Sequence, residues 1–378
     1  MCHRFSFWEP ARYRGGGVAL IRMDDLKGPL KGLAQASSLP AKVYCDADVA
    51  RREREAVFRR HWQYLGHESQ LPEVGTSLFV DVAGMPIVIV REREGLRAYE
   101  AVCRHRAGPL EACHSGGQHF LRCRYHGWAY GHDGALINAT EMQGCEDFEP
   151  GEIRLPAVEL AILQGLIFAR LVPGPVGFDA VTDGIRERLA AAGHELSNLQ
   201  HHATVSYDID CNWKVYVDNF LEGYHVPLVH PGLNAILDYR SYRTELAAWY
   251  SLQSSPLESA PNAYGSGEAL YYFLYPATML NILPDRLQTN RVAPIGAERC
   301  RVIFDFFYPT EWTAEARALK YASDSAFSEQ VQQEDIDICV AVQRNLASGS
   351  YRSGRFNPKR EQGLHHFQRL WLDDMLPR

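Results

Sequence analysis

The sequence predicts an α+β fold with two β-rich units, the second of which also carries long helices. Short apolar runs separated by Gly- and Pro-containing turns fill residues 63–172, a pattern typical of a small antiparallel β domain. Residues 178–378 combine further strand patterns with a long helical span, which favours a larger antiparallel sheet with helices packed on it, like a helix grip. At 378 residues, 46% of them hydrophobic, the chain is long enough for both cores.

The elements follow from local patterns. Residues 1–40, which include Gly15-Gly16-Gly17, predict an irregular tail. The charged run from Asp46 to Trp62 predicts a helix, with residues 41–62 packing on the second unit. Ala83-Gly84-Met85-Pro86 predicts a hairpin turn, and Pro173–Gly177 a linker. Strands are predicted at Leu78–Val82, Ile87–Val90, Leu96–Val102, Leu121–Cys123, Trp128–Tyr130, Leu166–Leu171, Val205–Ile209, Ala269–Tyr275, Thr278–Leu283, Gln288–Pro294 and Cys300–Tyr308, with a helix at 314–347.

Composition narrows the functional class. A net charge of −7 and a pI near 6.1 argue against general nucleic-acid binding. The sequence contains no run of 18 apolar residues, so no membrane span is predicted, and the N-terminus lacks the apolar core of a signal peptide. The nine cysteines have no regular spacing, which favours a reducing compartment. We therefore expect a cytoplasmic protein without a nucleic-acid or membrane partner.

The most informative motif is a pair of mixed Cys/His sequences. Cys103-Arg-His105 is followed, after seventeen residues, by Cys123-Arg-Tyr-His126. Two thiolates on one iron and two imidazoles on the other are the ligands of a Rieske [2Fe–2S] centre. A structural zinc site is the alternative, although zinc motifs usually pair like ligands. Cys113, His114 and His119 lie in the same stretch but lack this spacing.

A second motif, NWKVYVDNFLEGYHVPLVHPG, begins at Asn212 and places His225 and His230 five residues apart. On a straight helix they would point about 140° apart, so the helix must be interrupted, and Pro227 favours a break there. Two His and one carboxylate form the facial triad of non-haem Fe(II) oxygenases.

Three acids on the predicted helix at 314–347 are candidates for the carboxylate: Glu334, Asp335 and Asp337. A stripe of Val331, Asp335, Ile338, Val342 and Leu346 predicts an apolar, inward face on which Asp335 is the acid. A buried carboxylate needs a partner, such as a metal. Glu334 is the alternative, and Asp337 points about 160° away from Asp335.

Together the two motifs resemble those of Rieske non-haem iron oxygenases, and the resemblance extends from about Leu39 onward. It implies a [2Fe–2S] cluster on Cys103, His105, Cys123 and His126, and a mononuclear Fe(II) on His225, His230 and Asp335. It also implies that Glu222 carries electrons between the two centres of neighbouring subunits, with Asp218 as a competitor, and that Asn219 lines the iron pocket.

The resemblance also implies partners. Electrons come from a separate NAD(P)H reductase, directly or through a ferredoxin, since the chain contains no G-x-G-x-x-G after a strand. A homotrimer is expected, with O₂ and a small molecule as substrates. A Rieske electron-transfer protein without oxygenase activity is the alternative class, but it would need only the β domain.

The substrate is less constrained. In its glutamate at position 222 the chain resembles the carnitine, choline and glycine-betaine monooxygenases. This resemblance favours hydroxylation or N-demethylation of a quaternary ammonium compound. Aromatic faces bind such cations. The candidates lie between residues 239 and 275: Tyr239, Tyr242, Trp249, Tyr250, Tyr264, Tyr271, Tyr272, Phe273 and Tyr275. An arene or aromatic carboxylate is the alternative, with Arg286 and Arg291 as candidate partners for a carboxylate.

Overall fold

The computed structural model describes residues 26–376, apart from 116, 258–263, 265 and 266. The first unit consists of two antiparallel sheets. Its strands are β1 (Gln63–His67), β2 (Ser77–Val82), β3 (Met85–Glu92), β4 (Gly95–Glu100), β5 (Leu110–Ser115), β6 (Gln118–Cys123), β7 (Ala129–Gly131), β8 (Leu136–Asn138), β9 (Ala157–Leu163) and β10 (Leu166–Arg170). One sheet has the order β1-β10-β9-β4-β3-β2, and the smaller β5-β6-β7-β8 sheet is inserted between β4 and β9.

The predicted hairpin joins β2 to β3 through a two-residue turn. Ala83 and Gly84 have φ of 51° and 84°, and positive φ at both positions is the geometry that matches the twist of paired strands. Pro86 stands opposite Asp81 in the ladder, so β3 begins one residue before the proline.

The second unit is one seven-stranded antiparallel sheet with helices. Its strands are β11 (Leu199–Ile209), β12 (Arg243–Leu246), β13 (Tyr250–Leu257), β14 (Gly267–Leu274), β15 (Thr278–Leu283), β16 (Arg286–Pro294) and β17 (Cys300–Pro309), in the order β11-β17-β16-β15-β14-β13-β12. The described helices of the chain are α1 (Ala47–Glu53), α2 (Phe178–Val181), α3 (Ile185–Ala191), α4 (Trp213–Phe220), α5 (Val226–Val229), α6 (Pro231–Asn234), α7 (Ala314–Ala347) and α8 (Gln362–Met375). The predicted α+β class, with a small β domain and a larger antiparallel sheet bearing helices, is confirmed.

Both faces of the large sheet are covered. Because side chains alternate along a strand, Tyr272 and Leu274 of β14 pack with Phe168 and α3, whereas Phe273 packs with α4 and α8. This two-sided burial explains why β14 and β15 have nearly continuous apolar sequences.

A buried ion pair fixes α4, the helix that leads into the second motif. Lys214 Nζ lies 2.6 Å from Glu53 Oε1, with the two side chains 0% and 1% exposed. The indole N–H groups of Trp213 and Trp371 also donate to Glu53, at 2.9 and 2.7 Å. These three donors tie α4, α8 and the end of α1 together, and they satisfy a carboxylate that would otherwise be costly to bury.

The N-terminal predictions need correction. The helix predicted from Asp46 to Trp62 is α1 followed by a π-helical segment at Arg54–Phe58, so it ends earlier. Residues 26–40 are not a free tail: Ala36 and Leu39 are 0% exposed, and the Leu39 N–H donates to Gln368 Oε1 at 2.8 Å. The Gly15–Gly17 run lies outside the described residues. Among the described helices, none is both long and apolar enough to cross a membrane.

Candidate active site: two metal-ligand clusters and a cavity

The first motif forms two facing loops, which follow β4 and β6. In each loop the cysteine N–H bonds to a carbonyl five residues later: Cys103 to Gly108 at 3.0 Å and Cys123 to Trp128 at 2.7 Å. The Arg124 N–H bonds to the Pro109 carbonyl at 3.0 Å and ties the loops together. A Cβ on Gly108 would lie 2.5 Å from Cys123 Sγ, so only glycine leaves room for the thiolate.

The four side chains separate into a thiol pair and an imidazole pair. Cys103 and Cys123 are buried, at 3% and 2% exposure, while the rings of His105 and His126 are 4.7 Å apart and partly open to solvent. The Nδ1 atoms of both histidines are buried, and neither has a hydrogen-bond partner in the part of the chain that the structure describes. Two orphaned imidazole nitrogens beside two thiols fit a [2Fe–2S] cluster.

The same geometry disfavours a single zinc. A tetrahedral zinc would bring all four ligand atoms close together. Yet among the described residues the only group of three or more potential ligands within 4.8 Å of one another is His225, His230 and Asp335. The Tyr130 hydroxyl, which sequence reasoning missed, lies 3.2 Å from Cys103 Sγ and accepts the Arg104 N–H at 2.9 Å. Cys113, His114 and His119 lie on the β5–β6 hairpin, away from the loops.

The second motif places its two histidines around one short helix. His225 precedes α5 and His230 separates α5 from α6, and their ring centroids are 5.0 Å apart. The break therefore falls at His230, whose φ and ψ are −120° and 73°, and not at Pro227 as predicted. Pro227 lies in the first turn of α5, where its missing N–H costs nothing, whereas Pro231 disfavours helical geometry at His230.

Each histidine has one nitrogen held by a carboxylate. His225 Nδ1 lies 2.7 Å from Glu222 Oε1, and His230 Nδ1 lies 2.7 Å from Glu334 Oε2. An ionised carboxylate only accepts, so each Nδ1 donates a hydrogen bond to its carboxylate, and in the neutral ring the lone pair that a metal needs is then on Nε2. Glu334, the alternative ligand in the sequence analysis, is thus the partner of His230. Its position next to Asp335 in the sequence is the feature from which this contact could have been predicted.

Both Nε2 atoms face Asp335. His230 Nε2 lies 3.0 Å and His225 Nε2 3.8 Å from Asp335 Oδ1, which also accepts from Asn219 Nδ2 at 2.6 Å. Burial lowers the pKa of His230, but Asp335 and Glu334 outweigh it and the pKa is raised overall. Two imidazole lone pairs converging on one carboxylate fit a mononuclear iron.

The predicted stripe on α7 is wrong in part. Ile338 and Val342 are each 39% exposed, and the buried positions are the mostly polar set Asp324, Gln332, Cys339 and Gln343. These polar side chains reach partners on other elements: Gln332 Oε1, for example, accepts from the Tyr216 hydroxyl at 2.7 Å. Counting apolar residues alone therefore misplaced the inward face, although Asp335 does face the cavity.

Asp218 points elsewhere. Its carboxylate accepts from the Tyr44 hydroxyl at 2.6 Å and from Gln368 Nε2 at 3.3 Å. Burial raises the pKa of Asp218 to about 7, against the lowering effect of those two hydrogen bonds. Asp337 bonds only to exposed Gln333 on its own helix, at 2.8 Å.

A cavity of about 120 Å³, enough for several waters or one small molecule, opens beside the triad. His225, His230, Asp335, Asn219 and Glu222 all line it. Its wall includes the aromatic side chains Tyr216, Phe220, Tyr242, Tyr264, Tyr271, Phe304 and Phe327. Three of the nine aromatic candidates are therefore at the cavity, whereas Tyr272, Phe273 and Tyr275 are core residues and Tyr239 lies under the Arg360 guanidinium.

Comparison with known proteins agrees with this geometry. The family described as "Rieske [2Fe-2S] domain" matches residues 61–149, and "Ring hydroxylating alpha subunit (catalytic domain)" matches residues 196–377. The chain is 33% identical to the chloroplastic choline monooxygenase of Arabidopsis thaliana, over 93% of this chain and 85% of that protein. The chain is a Rieske non-haem iron oxygenase.

Members of this family hold a [2Fe–2S] cluster and a mononuclear iron, which the two ligand sets described above fit. A second relative of this Rieske oxygenase is the carnitine monooxygenase oxygenase subunit of Escherichia coli K12, 27% identical over 89% of this chain and 93% of the relative. A solved structure of the quaternary ammonium Rieske monooxygenase CntA with L-carnitine has a TM-score of 0.80 at 25% identity, covering 95% of this chain and all of that one.

Proposed function

We propose that this chain is the terminal oxygenase of a multicomponent system that oxidises a small alkylammonium compound, by hydroxylation or N-demethylation. The observation that carries the proposal is the cavity beside the triad, whose wall joins aromatic faces to carboxylates. Tyr242 and Tyr271 offer π faces to a cation, whereas the Arg286 guanidinium already lies 5.2 Å from the centroid of the Tyr264 ring. Glu222 and Asp335 add negative charge. Relatives that act on choline and carnitine support the same substrate class.

We assign the ligand roles from this geometry. Cys103, Cys123, His105 and His126 hold the cluster; His225, His230 and Asp335 hold the iron. When bound, the iron supplies activation of O₂ for insertion into a C–H bond. Glu222 and Glu334 keep both Nδ1 atoms protonated and so orient both Nε2 atoms toward the metal position. Asn219 holds the Asp335 carboxylate through its amide N–H.

The electron route and the assembly belong to the same proposal. The imidazole edge of the cluster site is partly exposed, and Tyr125 beside it is 57% exposed. On the catalytic unit, Tyr224 and Leu228 flank the Glu222–His225 pair and are 52% and 87% exposed. We propose that these surfaces meet between subunits of a homotrimer, that Glu222 links the two centres, and that a separate NAD(P)H reductase, directly or through a ferredoxin, supplies the electrons. A cytoplasmic location remains a prediction from the composition.

Product analysis tests the function. The iron-replete protein, a surrogate reductase, NADH and O₂ would be incubated with choline, carnitine and glycine betaine, and separately with benzoate and salicylate. We expect oxidised or demethylated ammonium products, detected by mass spectrometry. Hydroxylated arenes in place of these products would contradict the proposal. A Glu222→Gln variant should keep both metals but transfer electrons to the iron more slowly in single-turnover experiments, and a wild-type rate of transfer would remove Glu222 from the route.

A further inference from the structure

A row of polar side chains crosses the face of the large sheet that lines the cavity. Gln253, Tyr271, Asn281 and Gln288 stand directly opposite one another on β13, β14, β15 and β16, and all four line the cavity. We call these four residues the polar ladder. Buried sheet faces are usually apolar, because a buried polar group without a partner costs free energy, so such a row needs an explanation.

The outer members of the polar ladder already have partners. Gln253 accepts from the Tyr242 hydroxyl at 3.1 Å and donates to the Phe220 carbonyl at 2.8 Å. Gln288 donates to Ser328 Oγ at 3.2 Å. The central members are less fully satisfied: among the described residues, the Asn281 side-chain oxygen has no hydrogen-bond partner, and the Tyr271 hydroxyl interacts with the Tyr264 side chain. The middle of the row thus offers two neutral polar groups side by side.

Arg286, a cation that lines the same cavity, is already paired with carboxylates. Arg286 pairs with Asp285 at 2.6 Å and with Asp324 at 3.2 Å. Lys320 pairs with the same two acids, at 3.3 and 2.9 Å. Two cations and two anions thus lie together, and the Arg286 and Asp324 side chains are only 4% and 3% exposed. A substrate carboxylate here would lie near Asp324 without a counter-charge of its own, which is costly in a buried site. Arg291, the other candidate partner, bonds to the Asp81 carbonyl and does not line this cavity.

We infer that Asn281 and Tyr271 bind an uncharged hydrogen-bonding group at the far end of the substrate, so that the preferred substrate is an amino alcohol of the choline type and not a carboxylate such as a betaine. The inference rests on the proposed oxidation of an alkylammonium compound. A hydroxyl can donate to the Asn281 oxygen, which otherwise has no partner among the described residues, and can accept from the Tyr271 hydroxyl beside it. A site built to hydrogen-bond a hydroxyl discriminates strongly against an analogue that lacks it, because its own polar groups then stay unpaired.

Equilibrium binding to the iron-replete protein without O₂ tests this directly. The probes are choline, its isostere propyltrimethylammonium, in which a methyl replaces the hydroxyl, and glycine betaine. We expect choline to bind at least about tenfold more tightly than either of the others. In Asn281→Leu the Kd for the isostere divided by the Kd for choline should fall to about one. Tyr271→Phe, which keeps the ring, should lower the same ratio, and Asn345→Leu, the same exchange at an exposed position on α7, should leave it as in the wild type.

The outcomes separate the two proposals. Three results would overturn the role of Asn281 and Tyr271 and leave ammonium recognition intact. They are equal Kd values for choline and its isostere, tighter binding of glycine betaine than of choline, and an Asn281→Leu variant that binds all three probes more weakly by the same factor. If arenes bind and none of the three ammonium compounds does, the proposed function itself fails, and this inference fails with it.

Discussion

Asp218 and Glu222 lie four residues apart on the segment that follows Asn212, and both are candidates for the electron route. A substitution of Asp218 tests which of the two takes part. Asp218 has a pKa of about 7 because it is buried beneath Tyr44 and Gln368. Its ordinary pKa of 3.8 applies in the unfolded chain. The folded state therefore holds the proton more tightly, and stability is lost as the pH rises from about 4 to about 7. A difference between 3.8 and about 7 corresponds to at most roughly 4 kcal/mol, reduced where solvent reaches the side chain.

Asp218→Asn removes the titrating group and keeps an acceptor for the Tyr44 hydroxyl. We expect the free energy of unfolding of the variant to fall less than that of the wild type between pH 4 and pH 7, and to exceed it at pH 7.5. Urea denaturation followed by the fluorescence of buried Trp213 and Trp371 measures this difference at each pH. Parallel pH profiles for the two proteins would refute the reasoning. Single-turnover electron transfer to the iron should be unchanged, since Asp218 does not contact His225; slowed transfer would return Asp218 to the electron route.

Three further outcomes follow from the same contacts. Glu334→Ala should lower the affinity for Fe(II) about 10- to 100-fold, because His230 loses the partner of its Nδ1, and chelator competition should show this with the cluster spectrum unchanged; unchanged affinity would contradict the role of Glu334. Cys123→Ser should abolish the visible absorption of the Rieske cluster while Cys113→Ser keeps it, and a surviving spectrum in Cys123→Ser would disprove the ligand assignment. Lys214→Met should destabilise the fold by about 3–5 kcal/mol because Glu53 loses its counter-charge, and adding Glu53→Gln should recover much of the loss; an additive double variant would contradict a coupled pair.

The sequence predicted the candidate ligands that lie close together along the chain. Cys103-x-His105 and Cys123-x-x-His126 each lie within one loop, so their ligand character is visible without the fold. His225, His230 and Glu222 likewise come from one segment. Five of the seven strands of the large sheet were also predicted, because burial gives long apolar runs, whereas β12 and β13 were not. The helix break near His225 was expected for a physical reason, but was placed at the wrong proline.

What the sequence did not predict depends on partners that are distant along the chain. The inward face of α7 is partly polar, and Gln332 is buried only because Tyr216 approaches from α4. The polar ladder exists only once four strands are in register, so the isolated sequences around Asn281 and Gln288 do not indicate it. The burial of residues 26–40 depends on α8, whose Gln368 binds the Leu39 N–H, and no local pattern reports that contact.

The central claim is that His225, His230 and Asp335 hold an iron distinct from the cluster. Iron content per chain, measured by mass spectrometry of the metal alongside the cluster spectrum, tests it most directly. We predict about three irons per chain in the wild type, from one [2Fe–2S] cluster and one mononuclear site. Asp335→Ala should retain about two with an unchanged cluster spectrum, while Asp337→Ala, two residues on and exposed, should retain all of them. Full iron content in Asp335→Ala, or loss of the third iron in Asp337→Ala, would contradict the account.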